Sequence, residues 1–360
     1  MIQRFQTGPM IDIRSFEGTP ADASAFIFGV WRRAYGGRAP IAVWTPEFFE
    51  WTLMSRVPQG TEYMMAAYDG PTLVGTVFAE AFTYRLRGAP FKGAGGSWLA
   101  VDPRYLGAGV AKSMWAEMRR RYLRDGIRSM FGFTYITKHA DLGQKFWSRN
   151  ANTEVVSRVP CWVRVIDHAA TAAWEPERPL ALLSSAIGLF QGKPRDPASR
   201  DGVRPYVSAD LAGCLRALRA EGARADLFID YEDERFATQL DYKGYPKTVV
   251  AGQGSAVEGF INYFPIASLG RTEMPTGIVD YLVVSELPYE LQVRLLATAL
   301  AQARDQGLAY LMVPHRSGLP IRALLKTGFN LVPPQFRLIS MSPEDDFAIG
   351  RVRRSLVPLR

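Results

Sequence analysis

The hydrophobic pattern of the first half switches repeatedly between strand and helix. Ile11–Phe16 predicts a short strand, and Ala21–Tyr35 a helix. Pro46–Ser55 predicts a second helix, with Thr45 placed to cap it and Pro46 at its first position. Tyr63–Tyr68 and Leu73–Tyr84 predict a hairpin, turning at Asp69-Gly70-Pro71. Ser97–Val101 follows as a strand. In Gly109–Arg124, Met114, Met118 and Tyr122 recur every four residues, while Arg119, Arg120, Arg121 and Arg124 fill much of the rest, the signature of an amphipathic helix. Met130–Ile136 predicts a strand, Asp141–Arg149 a short helix, and Val155–Ile166 a strand pair broken by Pro160.

Residues 169–200 change character, with Pro176, Pro179, Pro194 and Pro197 around one apolar helix at Leu180–Phe190, and predict a linker. The second half then repeats the order of the first. Val203-Arg204-Pro205-Tyr206 echoes Ile13-Arg14-Ser15-Phe16, and Glu234-Arg235-Phe236 echoes Glu47-Phe48-Phe49. Strands Thr248–Gln253 and Val257–Pro265 echo the first hairpin, and Gly277–Val284 echoes Ser97–Val101. The shared order argues for a duplication. The expected division is 1–168, a linker 169–200, a second domain 201–345 and a solvated basic tail 346–360 carrying Arg351, Arg353, Arg354 and Arg360.

Composition narrows the class. The chain has 360 residues, 48% of them hydrophobic, enough for two domains with sizeable cores. Its net charge of +8 favours anionic ligands without choosing among them. Cys161 and Cys214 sit among apolar neighbours as buried thiols, which fits a cytoplasmic protein. With His139, His168 and His315 they form no metal-ligand spacing, so no metal is expected. Met1–Met10 lacks the apolar stretch of a secretory signal, and Leu180–Phe190 is too short to span a bilayer, so no membrane role is expected.

The chemistry sits in Leu99–Lys112, LAVDPRYLGAGVAK. A strand ends at Val101, a turn follows, and Gly107, Gly109 and Ala111 lead into a helix. Unpaired N–H groups and the dipole at such a helix start favour an anion, and small residues let a phosphate approach the backbone. The order strand, Val-x-Pro, glycine-rich loop, helix, strand resembles the acetyl-CoA-binding core of the GNAT superfamily. That family writes the loop Gln/Arg-x-x-Gly-x-Gly/Ala. Here it falls on Leu106-Gly107-Ala108-Gly109-Val110-Ala111, with Gly109 and Ala111 matching and Leu106 departing from the Gln or Arg.

The resemblance implies an α/β (α+β) chain of two tandem GNAT-like domains, each a mixed, mostly antiparallel sheet flanked by helices. It implies acetyl-CoA, or another acyl-CoA, as co-substrate. The pyrophosphate would lie on Gly107, Ala108, Gly109, Val110, Ala111 and Lys112, and the pantetheine arm beside Leu99, Ala100 and Val101. An amine would attack the thioester directly. The family's tyrosine acid falls on Phe146, and a common base position on Thr134. Substitutes are Glu80, as a base or an exposed strand-face carboxylate, His139, as an acid or a loop histidine, and Tyr135, as a hydroxyl near the right strand or a packing residue. Trp31, Tyr35 and Trp44 wall an acceptor pocket or form an aromatic core.

In the second half the cradle positions read Ser285-Glu286-Leu287-Pro288-Tyr289-Glu290, without glycine and with repelling carboxylates. The second domain is therefore expected to be degenerate. The chain is expected to be an N-acetyltransferase whose acceptor is a small-molecule or peptide amine. The alternatives are a non-catalytic acyl-CoA sensor, or transfer to a larger or aminoacyl acceptor. Nucleic acid is not expected as a partner, and a monomer or a homodimer suits the duplication.

Overall fold

A computed structural model describes residues 11–36, 39–55, 61–136, 141–175, 194, 196–197, 199–253, 256–315 and 318–360. His139 and the apolar segment Leu180–Phe190 lie outside the described residues.

The first half runs β1 (Ile11–Ser15), α1 (Pro20–Tyr35), β2 (Ile41–Val43), α2 (Pro46–Phe49), β3 (Met64–Asp69), β4 (Thr72–Leu86), β5 (Ala89–Val101), α3 (Val110–Asp125), β6 (Ser129–Tyr135), α4 (Asp141–Asn150) and β7 (Asn152–Val165). After α5 (His168–Trp174) come β8 (Val203–Pro205), α6 (Leu211–Gly222), β9 (Leu227–Ile229), α7 (Asp233–Leu240), β10 (Lys247–Ala251), β11 (Gly259–Leu269), β12 (Glu273–Val283), α8 (Tyr289–Asp305), β13 (Tyr310–Pro314), α9 (Ile321–Lys326), β14 (Asn330–Ser342) and β15 (Ser355–Leu356).

Local chemistry accounts for many boundaries. Thr19 and Asp22 close a capping box on α1, with a proline in its first turn. Thr45 caps α2, which continues as a π-helical turn, Glu50–Met54. Gly109 and Gly126 bracket α3 in the left-handed conformation, at φ 80° and 72°. That helix buries Val110, Met114, Trp115, Met118 and Tyr122.

One sheet holds both halves, in the order β1-β3-β4-β5-β6-β14-β7-β13-β12-β11-β10-β8. Counted inward from each edge the two halves match strand for strand, with one exchange. β7 follows β6 in sequence but pairs with β13, Val165 opposite Tyr310. β14 follows β13 but pairs with β6, Tyr135 opposite Phe336. The two exchanged strands pair with each other at the centre. A smaller exchange repeats the theme. β2 of the first half pairs with β11, and β9 of the second half pairs with β4. β5 with β6 and β12 with β13 are the parallel pairs in this order. A large apolar cluster, including Phe48, Phe78, Trp98, Phe236, Phe264 and Tyr281, is shared by the halves.

Two expectations are corrected. Val155–Ile166 is not a broken strand pair but part of one long strand, β7. Pro160 is tolerated because the ladder to β14 is already interrupted there, between Val332 and Phe336, where Pro333 and Pro334 lie. The tail is not solvated. Ile349, Val352, Leu356, Val357 and Leu359 are buried, β15 pairs with β9, and Glu154 accepts the N–H groups of Ile349 and Gly350.

Candidate active site at a divergence in the sheet

β5 and β6 are paired over only three positions, Gly93–Ser129, Ala94–Met130 and Gly95–Phe131. Beyond them both strands continue, β5 to Val101 and β6 to Tyr135, without pairing to each other. Glycine lets the strands approach at the fork. A Cβ on Gly132 would stand 2.6 Å from the Gly96 carbonyl oxygen, and one on Gly96 would stand 2.3 Å from that of Phe78.

Just past the fork the ladder between β4 and β5 shifts register, dropping Trp98 and Leu99 out of one-to-one pairing. Trp98 takes φ 36°, unusual for a bulky side chain and costing on the order of 1–3 kcal/mol. Its ring is buried against Trp44, Phe48 and Phe49, and the Thr76 hydroxyl donates to its carbonyl at 3.1 Å. The Trp31 indole N–H donates to the Leu99 carbonyl at 3.1 Å, so α1 braces the same strand. Trp31 and Trp44 also meet edge to face.

From Val101 the chain turns through Asp102, whose carboxylate accepts from the backbone and side chain of Arg104. The first rung of α3 is Ser113 N–H to the Gly109 carbonyl, 2.9 Å. The N–H groups of Val110, Ala111 and Lys112 precede that rung and face no helical carbonyl. Ala108 differs, since its N–H is used within the turn, bonded to Tyr105 at 3.2 Å. Gly107 and Gly109 have φ 84° and 80°, and a Cβ on either would meet nothing within 4 Å. Leu106, where the family's Gln or Arg would stand, is exposed.

Below the bulge lies a cavity of about 30 Å³, whose walls include Thr52, Glu80, Tyr84, Trp98, Tyr231 and Arg360. Both halves therefore build it. Glu80 is buried and meets Arg235 of α7 in a two-pronged ion pair, at 2.7 and 2.9 Å. It is not an exposed strand-face carboxylate. Arg360 lies 4.4 Å over the Trp51 ring and pairs with the buried Asp280 at 2.7 Å. Burial works against its charge, but Asp280 holds its pKa above the ordinary arginine value. Gln239 ties Asp280 to Asn262, both at 2.8 Å. The Tyr84 hydroxyl is fully buried, and desolvation raises its pKa well above normal.

Tyr135 ends β6 and packs on Phe336 of β14, ring centroids 5.0 Å apart. Burial pushes its phenol up to about 12, so it stays protonated at neutral pH. Phe146 packs on Trp147. Cys161 and Cys214 are buried free thiols, both pushed up to about 12 by desolvation. Sequence reasoning missed Thr52, Arg235, Asp280 and Arg360. Arg235 was legible only as part of a repeat echo, and Arg360 only as tail charge.

The matching place in the second half is closed. Leu287 N–H returns to the Val284 carbonyl at 3.0 Å. The Gln292 side chain donates to Leu287 and Val284 carbonyls at 2.8 and 3.3 Å, and Glu286 pairs with Arg224.

A fork between parallel strands, a bulge beside it and a glycine-entered helix thus lie side by side in the first half. Residues 21–138 match the family model for the acetyltransferase (GNAT) domain. Over this stretch the chain is similar to GNAT acetyltransferases. The whole chain has a GNAT-like fold resembling a tandem GNAT enzyme. Against Saccharomyces cerevisiae N-myristoyltransferase with bound myristoyl-CoA the TM-score is 0.74 at 13% identity, covering 97% of this chain and 89% of that one. A GCN5-related N-acetyltransferase from Anabaena variabilis gives 0.55 at 11% identity, covering 93% and 73%. One from Kribbella flavida gives 0.53 at 15%, covering 92% and 70%. No curated protein sequence matches the chain. Among the described residues no group of side chains could hold a metal ion, and no helix is long and apolar enough to cross a membrane.

Proposed function

We propose that the chain is an N-acetyltransferase that takes acetyl-CoA as donor and a primary amine as acceptor, with its chemistry in the GNAT domain. The fork between β5 and β6, opening beside the glycine entry of α3, carries this reading. The residues fit a CoA thioester. The free N–H groups of α3 suit a pyrophosphate, with Gly107 and Gly109 leaving the approach clear. The unpaired edge at Leu99, Ala100 and Val101 suits an amide-bearing arm laid down as an added strand. An N–H group released by the bulge polarises the thioester carbonyl and stabilises the oxyanion.

The cavity below the bulge, with Phe82, Trp98 and Phe131 among its walls, offers an apolar place for the acyl group. Tyr135, protonated across the neutral range, is suited to give a proton to the departing thiolate and not to accept one. We assign Glu80 to holding the halves in register at the cavity through Arg235. The amine's proton then passes to another acceptor, and His139 is a candidate for it. Because Tyr231, Val357 and Arg360 of the second half line the same cavity, a peptide amine spanning both halves is the second acceptor class to screen.

Calorimetric titration with acetyl-CoA tests the donor site. One site per chain is expected. Gly109→Glu should weaken binding about 100-fold or more, because it puts a carboxylate in the anion cradle at a strained φ. Absence of binding in the unmodified chain would end the acyltransferase reading. Binding without turnover across a panel of amines would leave an acyl-CoA sensor.

A further inference from the structure

Behind the fork, β5 is short of side chains. On the face that carries the cavity, Gly95 stands opposite Glu80 of β4, Gly93 opposite Phe82, and Phe91 opposite Tyr84. Two successive positions of that face are therefore glycine, and the strand offers a bare trough. It starts at Gly95–Phe131, the last rung before β5 and β6 part. Phe82 of β4 and Phe131 of β6 stand on its two sides.

The Tyr84 ring fills this trough. It begins level with Phe91 and leans two rungs towards the fork. A Cβ on Gly93 would stand 2.6 Å from the ring, and one on Gly95 would stand 3.1 Å from the hydroxyl oxygen. Ring centroids lie 5.7 Å from Phe91 and 4.6 Å from Phe131. The residue is fully buried, and its hydroxyl has no hydrogen-bond partner. Buried tyrosines ordinarily find one. Shape, not a hydrogen bond, thus holds the ring here, and the oxygen adds reach towards the fork.

The cavity below the bulge divides by chemistry. Thr52, Glu80 and Arg360 form a polar wall, while Phe82, Tyr84 and Phe131 form an apolar one. An alkyl chain entering at the bulge is turned away from the first set by the cost of desolvating charges. Its apolar way on is the trough along Gly95 and Gly93, and Tyr84 occupies it. We propose that Tyr84 sets the length of the acyl group, stopping the donor's chain at the fork and restricting the donor to short-chain acyl-CoAs. This rests on the proposed function, since it assumes that the thioester lies at the bulge. Tyr84 acts by volume and not by chemistry. Removing its ring should turn a short-chain site into one that lays a longer chain along the two glycines.

The test is calorimetric titration of the full chain, and of Tyr84→Ala, with CoA, acetyl-CoA and hexanoyl-CoA. The unmodified chain should bind hexanoyl-CoA no more tightly than acetyl-CoA. Tyr84→Ala should bind hexanoyl-CoA about tenfold or more tightly than acetyl-CoA, as burial of the added methylenes in the vacated trough requires. Its affinity for CoA should stay at that of the unmodified chain, which reports an intact fold and donor site. Should the alanine variant fail to fold, Tyr84→Leu, which keeps apolar volume without the ring's reach, should move the preference in the same direction. A preference for hexanoyl-CoA already present in the unmodified chain would overturn the assignment and leave the acyltransferase reading standing. An unchanged preference in each variant that folds would overturn it in the same way. Binding of none of the three by the unmodified chain would remove the donor site itself, and the length limit with it.

Discussion

Glu80 and Arg235 join residues 155 positions apart in a pair that is almost free of solvent, at 7% and 2% exposure. In such a setting the two charges satisfy each other, and removing one leaves the other buried alone. Glu80→Gln should therefore cost about 3–5 kcal/mol, read from the midpoint of guanidinium unfolding. Arg235→Met should cost a similar amount, and the double variant less than the sum of the two. Additive losses would mean that the pair is not a unit. The residue type alone drew attention to Glu80, because a carboxylate in VGTVFAEAF is out of place on an apolar strand. Its partner sits in the other half of the chain, and no local spacing connects them. The same holds for Asp280 and Arg360, which meet only after the tail has folded back.

At the scale of elements, α3 carries the candidate anion cradle at its start and a cluster of charges near its middle. Arg120 and Arg121 of that helix donate to Glu117 at 2.8 and 2.9 Å and hold its carboxyl down at about 2, against an ordinary value of 4.5. Lowered in the folded state, Glu117 contributes stability that is complete above about pH 5 and is lost as the pH falls towards about 2. The melting temperature of Glu117→Gln should thus lie below that of the unmodified chain near neutrality, and the gap should narrow by about pH 3. A gap unchanged over that range would show that the ion pairs contribute nothing. Amphipathic α3 was legible in the sequence because Met114, Met118 and Tyr122 repeat on one face and Gly109 and Gly126 punctuate its ends. The β3–β4 hairpin was legible from Asp69-Gly70. The first part of β5, Ala89–Gly96, was not. Its glycines remove the apolar alternation, and they are there because the Tyr84 ring comes too close for a Cβ at Gly93 and neighbouring backbone comes too close at Gly96. The bulge at Trp98 also escaped notice, since its φ is set by packing and not by residue type.

For the whole molecule, the duplication was legible as a repeated order of elements, while the exchange of β7 and β14 was not. Each of these strands has the pattern its own half calls for, and pairing across halves leaves no mark on that pattern. The basic tail looked solvated for a related reason. Its arginines are conspicuous, yet the apolar residues between them face into the protein, and Arg354 and Arg360 end on Glu221 and Asp280. Because the sheet and a large apolar cluster are continuous across the halves, unfolding in guanidinium should be one transition, with circular dichroism and tryptophan fluorescence coinciding. Two separated steps would show that the halves hold their structure independently. The strand exchange also bears on inheritance. A deletion that excised either copy would take with it the strand that completes the survivor, so neither half can be lost without opening the other's sheet.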